Sequence, residues 1–229
     1  MKKRSKRYKK LIREEKNNIS NDFEKLIPLV KKTSTAKFDE SIDLSLQINL
    51  KQGKTEFSMR TVVNLPSGTG KRIKIAVVCE ESKVNEVTKL GADLVGSDNL
   101  IKEISNGKIN FDKLIATPAM MLKLGKLGKI LGPKGLMPNP KLGTVTNELK
   151  STINSIKVGQ VEIKNDKDGN IGMTIGKKSF SYDKLLLNYN AIVEAISKEK
   201  PTNVKGNFIL SAFLTSTMGI SYKLKAKGI

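Results

Sequence analysis

At 229 residues, with 38% hydrophobic and 28% charged side chains, the chain is long enough for two ordinary domains and a sizeable core. It carries 42 Lys and Arg against 22 Asp and Glu, a formal charge of +20, with no histidine: the excess attracts a polyanion through counterion release, and the absent imidazole removes the commonest general base and metal ligand together. No apolar run approaches the roughly 20 residues that span a bilayer, no signal-like apolar region follows the basic N-terminus, and lone Cys79 excludes an internal disulfide, which leaves a cytosolic binding protein as the default.

Residues 1–16 hold nine Lys or Arg. Such a run is either a mobile tail or an RNA-contacting arm, and composition does not separate the two. Over residues 22–32, Phe23, Leu26, Ile27 and Val30 recur at helical spacing, with Pro28 as an irregularity. Residues 42–50 alternate apolar and polar as a half-buried strand does. The turn Lys51-Gln52-Gly53-Lys54 leads into a second strand over 57–65, so an antiparallel hairpin is expected.

After Pro66-Ser67-Gly68-Thr69-Gly70-Lys71 the pattern changes. Residues 73–79 are apolar on both parities apart from Lys74, the mark of a strand covered on two faces, and this buries Cys79. Helix-like 82–90, apolar Leu94-Val95, helix-like 99–104, strand-like 114–116 and a helix opened by Pro118 follow, and Thr146 stands where it caps a last helix over 147–156. Strands alternating with helices imply a small parallel α/β domain. From residue 158 the earlier style returns. Residues 160–164, the turn 165–170 and residues 171–175 read as a second hairpin, a helix starts at Asp183 and stops before Pro201, and 208–214 and 221–224 supply closing strands.

Three stretches invite a chemical reading. Gly68-Thr69-Gly70-Lys71 resembles the end of a phosphate-binding loop, but Leu65 stands where the first glycine belongs, Arg72 replaces the metal-binding hydroxyl, and the stretch precedes a strand. A nucleotide-dependent cytosolic enzyme using the α/β segment is the alternative that would need this loop. Asp166 and Asp168 lack the remaining spacing of a calcium loop and read as turn residues. No paired carboxylates with a catalytic neighbourhood are visible, so neither enzyme, cofactor nor metal is expected.

Residues 125–146 are different. Pro133, Pro138 and Pro140 remove amide donors, the glycines release φ, and Lys126, Lys129, Lys134 and Lys141 meet no acidic residue, so the stretch reads as a basic platform without regular structure, facing a polyanion. Within it, Leu131-Gly132-Pro133-Lys134-Gly135-Leu136-Met137-Pro138-Asn139-Pro140-Lys141 resembles the signature of the first-numbered large-subunit ribosomal protein family, bacterial type, and the likeness extends from about Lys37 to Tyr222.

The resemblance implies a discontinuous α+β RNA-binding domain, residues 1–66 with 158–229, into which a Rossmann-like three-layer α/β domain, residues 67–157, is inserted, with a hinge near residues 66 and 158. It implies large-subunit ribosomal RNA at the mobile stalk as partner, help in releasing E-site tRNA, and repression of its own mRNA by the free protein. It further implies a monomer within the cytoplasmic ribosome and no membrane. Thr217, Met218 and Gly219, together with Lys205, Gly206 and Ser211, look like the family's main RNA-contact motif. Lys37, Phe38, Glu40 and Ser41 match its first RNA-contacting strand, and Lys164 and Asp166 fall in its hairpin near the RNA. Ile220, Thr61, Ser67 and Gly172 depart from the residues common in the family.

Overall fold

The computed structural model describes residues 4–15, 22–49, 59–200 and 207–225. The chain divides into two compact units, Met1–Gly70 with Val161–Ile229, and Lys71–Gln160. It is a mixed α/β protein with a four-stranded, a three-stranded and a two-stranded sheet.

The first unit opens with α1 (Lys6–Glu15) and α2 (Phe23–Thr33). On α2 the predicted stripe of Phe23, Leu26, Ile27 and Val30 is buried, while Pro28 lies on the exposed side. Strand β1 (Ser41–Ile48) follows, then β2 (Arg60–Asn64). Residues 50–58, with the expected turn and the start of the second strand, lie outside the described residues.

After the second unit come β6 (Gln160–Lys164), β7 (Asn170–Lys177), α8 (Tyr182–Lys198), β8 (Ile209–Ser216) and β9 (Ser221–Leu224). The main sheet runs β7-β1-β8-β9, and the β1, β7, β8 and β9 contacts are antiparallel. Ile42, Leu44, Leu46 and Ile48 point to one face, where α2 lies on β8 and β9 and α8 lies on β7. Phe23 of α2 stacks on Tyr189 of α8, ring centroids 4.0 Å apart. Each fully buried Ile or Leu here contributes about 1.5–3 kcal/mol by leaving water.

Two strand pairings differ from expectation. β1 does not pair with β2: both its edges are taken by β7 and β8, and β2 joins β6 in a separate two-stranded sheet. β6 and β7 are likewise parted, held together at the turn by one bridge, Asn165 to Ile171. Alternation reports which face of a strand is buried and carries no information about which distant strand lies beside it.

The second unit contains β3 (Ile75–Val78), α3 (Val84–Lys89), β4 (Leu94–Gly96), α4 (Asp98–Ser105), β5 (Lys113–Ala116), α5 (Pro118–Gly125), α6 (Gly128–Leu131) and α7 (Leu149–Val158). Its sheet is parallel, order β4-β3-β5. Ala76 and Val78 of β3 face one apolar cluster with Leu100, Ile104, Met120, Leu124 and Leu131; Ile75, Val77 and Cys79 face another with Val87, Leu149, Ile153 and Ile156. Burial on both faces is why the strand shows no polar parity. The last helix starts two residues later than expected: Thr146 Oγ1 accepts from Glu148 N at 3.0 Å, ahead of α7.

Candidate nucleic-acid interface

Where β1 begins and β8 ends, the chain makes a small shaped surface. Thr217 N donates to Ser41 O at 3.1 Å, and Ser41 N donates to Thr217 Oγ1 at 3.0 Å. The turn 217–219 is thereby tied to the first residue of β1 from a position 176 residues away. Beside it Phe38 is 54% and Met218 50% exposed, two large apolar side chains facing solvent. Lys37 is exposed next to Phe38, and Lys177 Nζ donates to Ser41 Oγ at 3.0 Å.

Glu40 holds this arrangement from below. It is fully buried, and its Oε1 accepts from Ala36 N at 2.8 Å while Oε2 accepts from Met218 N at 3.0 Å. Burial alone pushes its carboxyl up; the Ala36 and Met218 amides, with the Ser216 and Ser34 hydroxyls as neighbouring dipoles, outweigh it, and the net shift is downward. With no exposed surface and its oxygens engaged, Glu40 positions Met218 and the 36–40 loop from beneath. Gly219 has a different reason from the one its type suggests. A Cβ there would stand 2.2 Å from Ser216 Oγ, so any larger residue must displace the buried Ser216 hydroxyl.

The other predicted residues lie toward the opposite end of the sheet. Ser211 pairs with Gln47 of β1, at the far end of β8 from Thr217. Lys164 and Asp166 are exposed at the β6–β7 turn. Asp166 Oδ1 accepts from Asn170 N at 2.7 Å and Asp168 N at 3.0 Å, and the Asn170 side chain donates to Oδ2 at 3.0 Å. These bonds, that from the Asn170 side chain foremost, hold its carboxyl below the usual range.

The two groups are joined by the outer face of the sheet, where register brings Asp43 beside Thr174 and Thr215, Ser45 beside Gly172 and Phe213, and Gln47 beside Asn170 and Ser211. A shallow groove of about 390 Å³ runs here, lined by Ser45, Gln47, Asp166, Asn170, Ser211 and Phe213 among others. Ser45, Gln47 and Phe213 line this groove without having been singled out in the sequence, although the polar parity of residues 41–47 marked the face. Lys205 and Gly206 lie outside the described residues.

In the second unit, Lys126, Lys129, Lys134 and Lys141 are all exposed. The stretch bearing them is more regular than expected: it contains α6 and a 3-10 turn, Pro140–Leu142. Leu127, Leu131 and Leu142 are buried beneath it, and apolar burial supplies the order that Gly and Pro oppose. Asn139 fastens the return: its Oδ1 accepts from Lys141 N at 2.9 Å and its O accepts from Thr144 Oγ1 at 3.1 Å. Val145 then bridges Ala116 in parallel, beside β5.

Other chemistries find little to use. Lys71, the lysine of the loop-like 68–71 stretch, is paired with Asp112 at 2.8 Å. Cys79 is buried, and desolvation pushes its thiol up, away from reactivity. Among the described residues, no group of three or more His, Cys, Asp or Glu could hold a metal ion, and no helix is long and apolar enough to cross a membrane.

A model of the ribosomal protein L1p/L10e family matches residues 30–220. The chain is 57% identical to the large ribosomal subunit protein uL1 of Pelagibacter ubique (strain HTCC1062) over 222 residues, 96% of this chain and 97% of that protein. It is 45% identical to the protein of that name from Orientia tsutsugamushi (strain Boryong) over 95% of this chain and 90% of that one, and 47% identical to that of Rickettsia akari (strain Hartford) over 93% and 87%.

Proposed function

Because the chain belongs to the ribosomal protein L1p/L10e family, and is a ribosomal protein and no enzyme, we propose that it binds large-subunit ribosomal RNA at the mobile stalk of the cytoplasmic ribosome. In this reading the unit of Met1–Gly70 with Val161–Ile229 is a discontinuous α+β RNA-binding domain, and Lys71–Gln160 is the inserted Rossmann-like domain. The basic stretch 125–143 reaches outward, the stalk's motion assists release of E-site tRNA, and the free protein binds its own mRNA as a translational repressor. The connections near residues 66 and 158 serve as the hinge.

One observation carries the reading. The Glu40-braced turn presents Met218 half exposed beside Thr217, which is tied to Ser41, and the 36–40 loop presents Phe38 half exposed, on a chain of net charge +20. Folded RNA is recognised by shape, 2′-hydroxyls and phosphates, and an unstacked base accepts an aromatic or thioether face. The sheet's outer face offers a second line toward the same partner, the polar Ser45, Gln47 and Ser211 with the aromatic Phe213 among them. The test is binding of purified protein to a stalk RNA fragment at fixed salt: Thr217→Ala with Met218→Ala weakens it at least about tenfold, the size of one or two lost polar and apolar contacts, and unchanged affinity rejects the site.

A further inference from the structure

Over Lys6–Glu15 the N-terminal basic run is ordered. This segment is the helix α1, and it is docked. Arg7 donates from one guanidinium nitrogen to Thr35 Oγ1 at 2.9 Å and from the other to Met218 O at 2.7 Å, while Leu11 is 7% exposed. Arg7 thus grips the same turn that Glu40 holds from the other side, through Met218 O instead of Met218 N. The helix start is closed by Tyr8 N donating to Ser5 Oγ at 3.3 Å, and the Arg4 guanidinium lies over the Tyr8 ring at 5.4 Å.

Helical phase sorts the remaining charges. At about 100° per residue, Arg7 and Leu11 share the side turned to the protein, whereas Lys6, Lys9, Lys10 and Arg13 fall on one stripe roughly 100° wide beside it. Lys6, Lys9 and Arg13 are exposed. With Leu11 buried and Tyr8 and Ile12 partly covered, α1 keeps no broad apolar face to insert into a lipid interface, and the cationic stripe is suited to phosphates at fixed distance from the turn. We propose that α1 is a phosphate-gripping arm of the interface, held in place by Arg7, which binds the RNA backbone flanking whatever the Thr217–Gly219 turn contacts. The proposal rests on the RNA-binding reading above and adds to it a surface and a positioning residue, Arg7.

The experiment is a salt titration of affinity for the stalk RNA fragment and for an unrelated RNA duplex, using the full chain. Lys6→Gln with Lys9→Gln and Arg13→Gln is compared with Lys89→Gln, Lys102→Gln and Lys108→Gln, an equal loss of charge from exposed positions of the second unit. The α1 triple variant lowers the slope of log affinity against log salt by about 2 to 3, roughly 0.7–0.9 for each of the three lost phosphate contacts. It leaves the stalk-to-duplex preference within about twofold, because phosphate contacts carry no sequence information. The control triple variant changes the slope by less than half as much. Arg7→Lys, which keeps the charge and loses the two-pronged grip, weakens stalk binding at least about threefold. Equal slopes for both triple variants, or an unaffected Arg7→Lys, overturn α1 as an arm while leaving the RNA reading standing. A wild-type chain without affinity for stalk RNA overturns both.

Discussion

A carboxylate without exposed surface must gather donors or give up its charge, and Glu40 gathers the amides of Ala36 and Met218. Its substitution therefore acts first on the shape of the Met218 turn. Glu40→Gln leaves one buried amide without a good acceptor and destabilises the protein by about 1–3 kcal/mol in thermal or urea unfolding. The sign of the pH effect follows from the lowered carboxyl: its contribution is present above the unfolded value and is lost as pH falls through the folded one. Wild type should lose unfolding temperature more steeply than Glu40→Gln on acidification below about pH 5, and parallel curves would remove Glu40 from the account. Gly219 gives a second residue-scale test. Gly219→Ala drives a methyl against Ser216 Oγ and costs about 1–3 kcal/mol as an overpacked site; adding Ser216→Ala recovers most of that loss, and a double variant no more stable than the single one refutes the collision.

At the scale of elements, α8 shows how a helix anchors a connection. Asn188 is fully buried; its Oδ1 accepts from Ser67 N at 3.0 Å, and its amide donates to Gly68 O at 2.9 Å and Ile175 O at 2.7 Å. Gly68 and Gly70 hold φ of 71° and 72°, which lets the turn fold under the helix. Asn188→Leu keeps the branched shape but strands three backbone groups, and a loss of about 2–3 kcal/mol in denaturant unfolding is expected. The extents of α2, β1, β3, β5 and α8 were legible because period and caps are local properties of the chain. The two hairpins were misread because partner choice is not local: β1 lies between β7 and β8, more than 100 residues along the chain. The stretch 125–146 was read as irregular from its glycines and prolines, and Leu127, Leu131 and Leu142 overrode those propensities by burial.

For the whole molecule, charge sets a class of attraction and packing sets which surfaces are presented to it. The excess of +20 is spread over both units and specifies attraction without a site. The 11-residue signature at 131–141 and the stretch Thr217-Met218-Gly219 carried the family resemblance, and the match of the family model over residues 30–220 bears it out. The sequence by itself thus determined a cationic protein without catalytic equipment, its family, and the faces of most helices and strands, since these depend on composition and on short-range periodicity. Only the tertiary structure decided that Glu40 lies beneath the surface, that Gly219 answers to Ser216, and that Arg7 reaches Met218 across 211 residues of chain. Such pairings arise when the sheet brings distant backbone together, and no local pattern encodes the distance between two side chains that meet only in the folded chain.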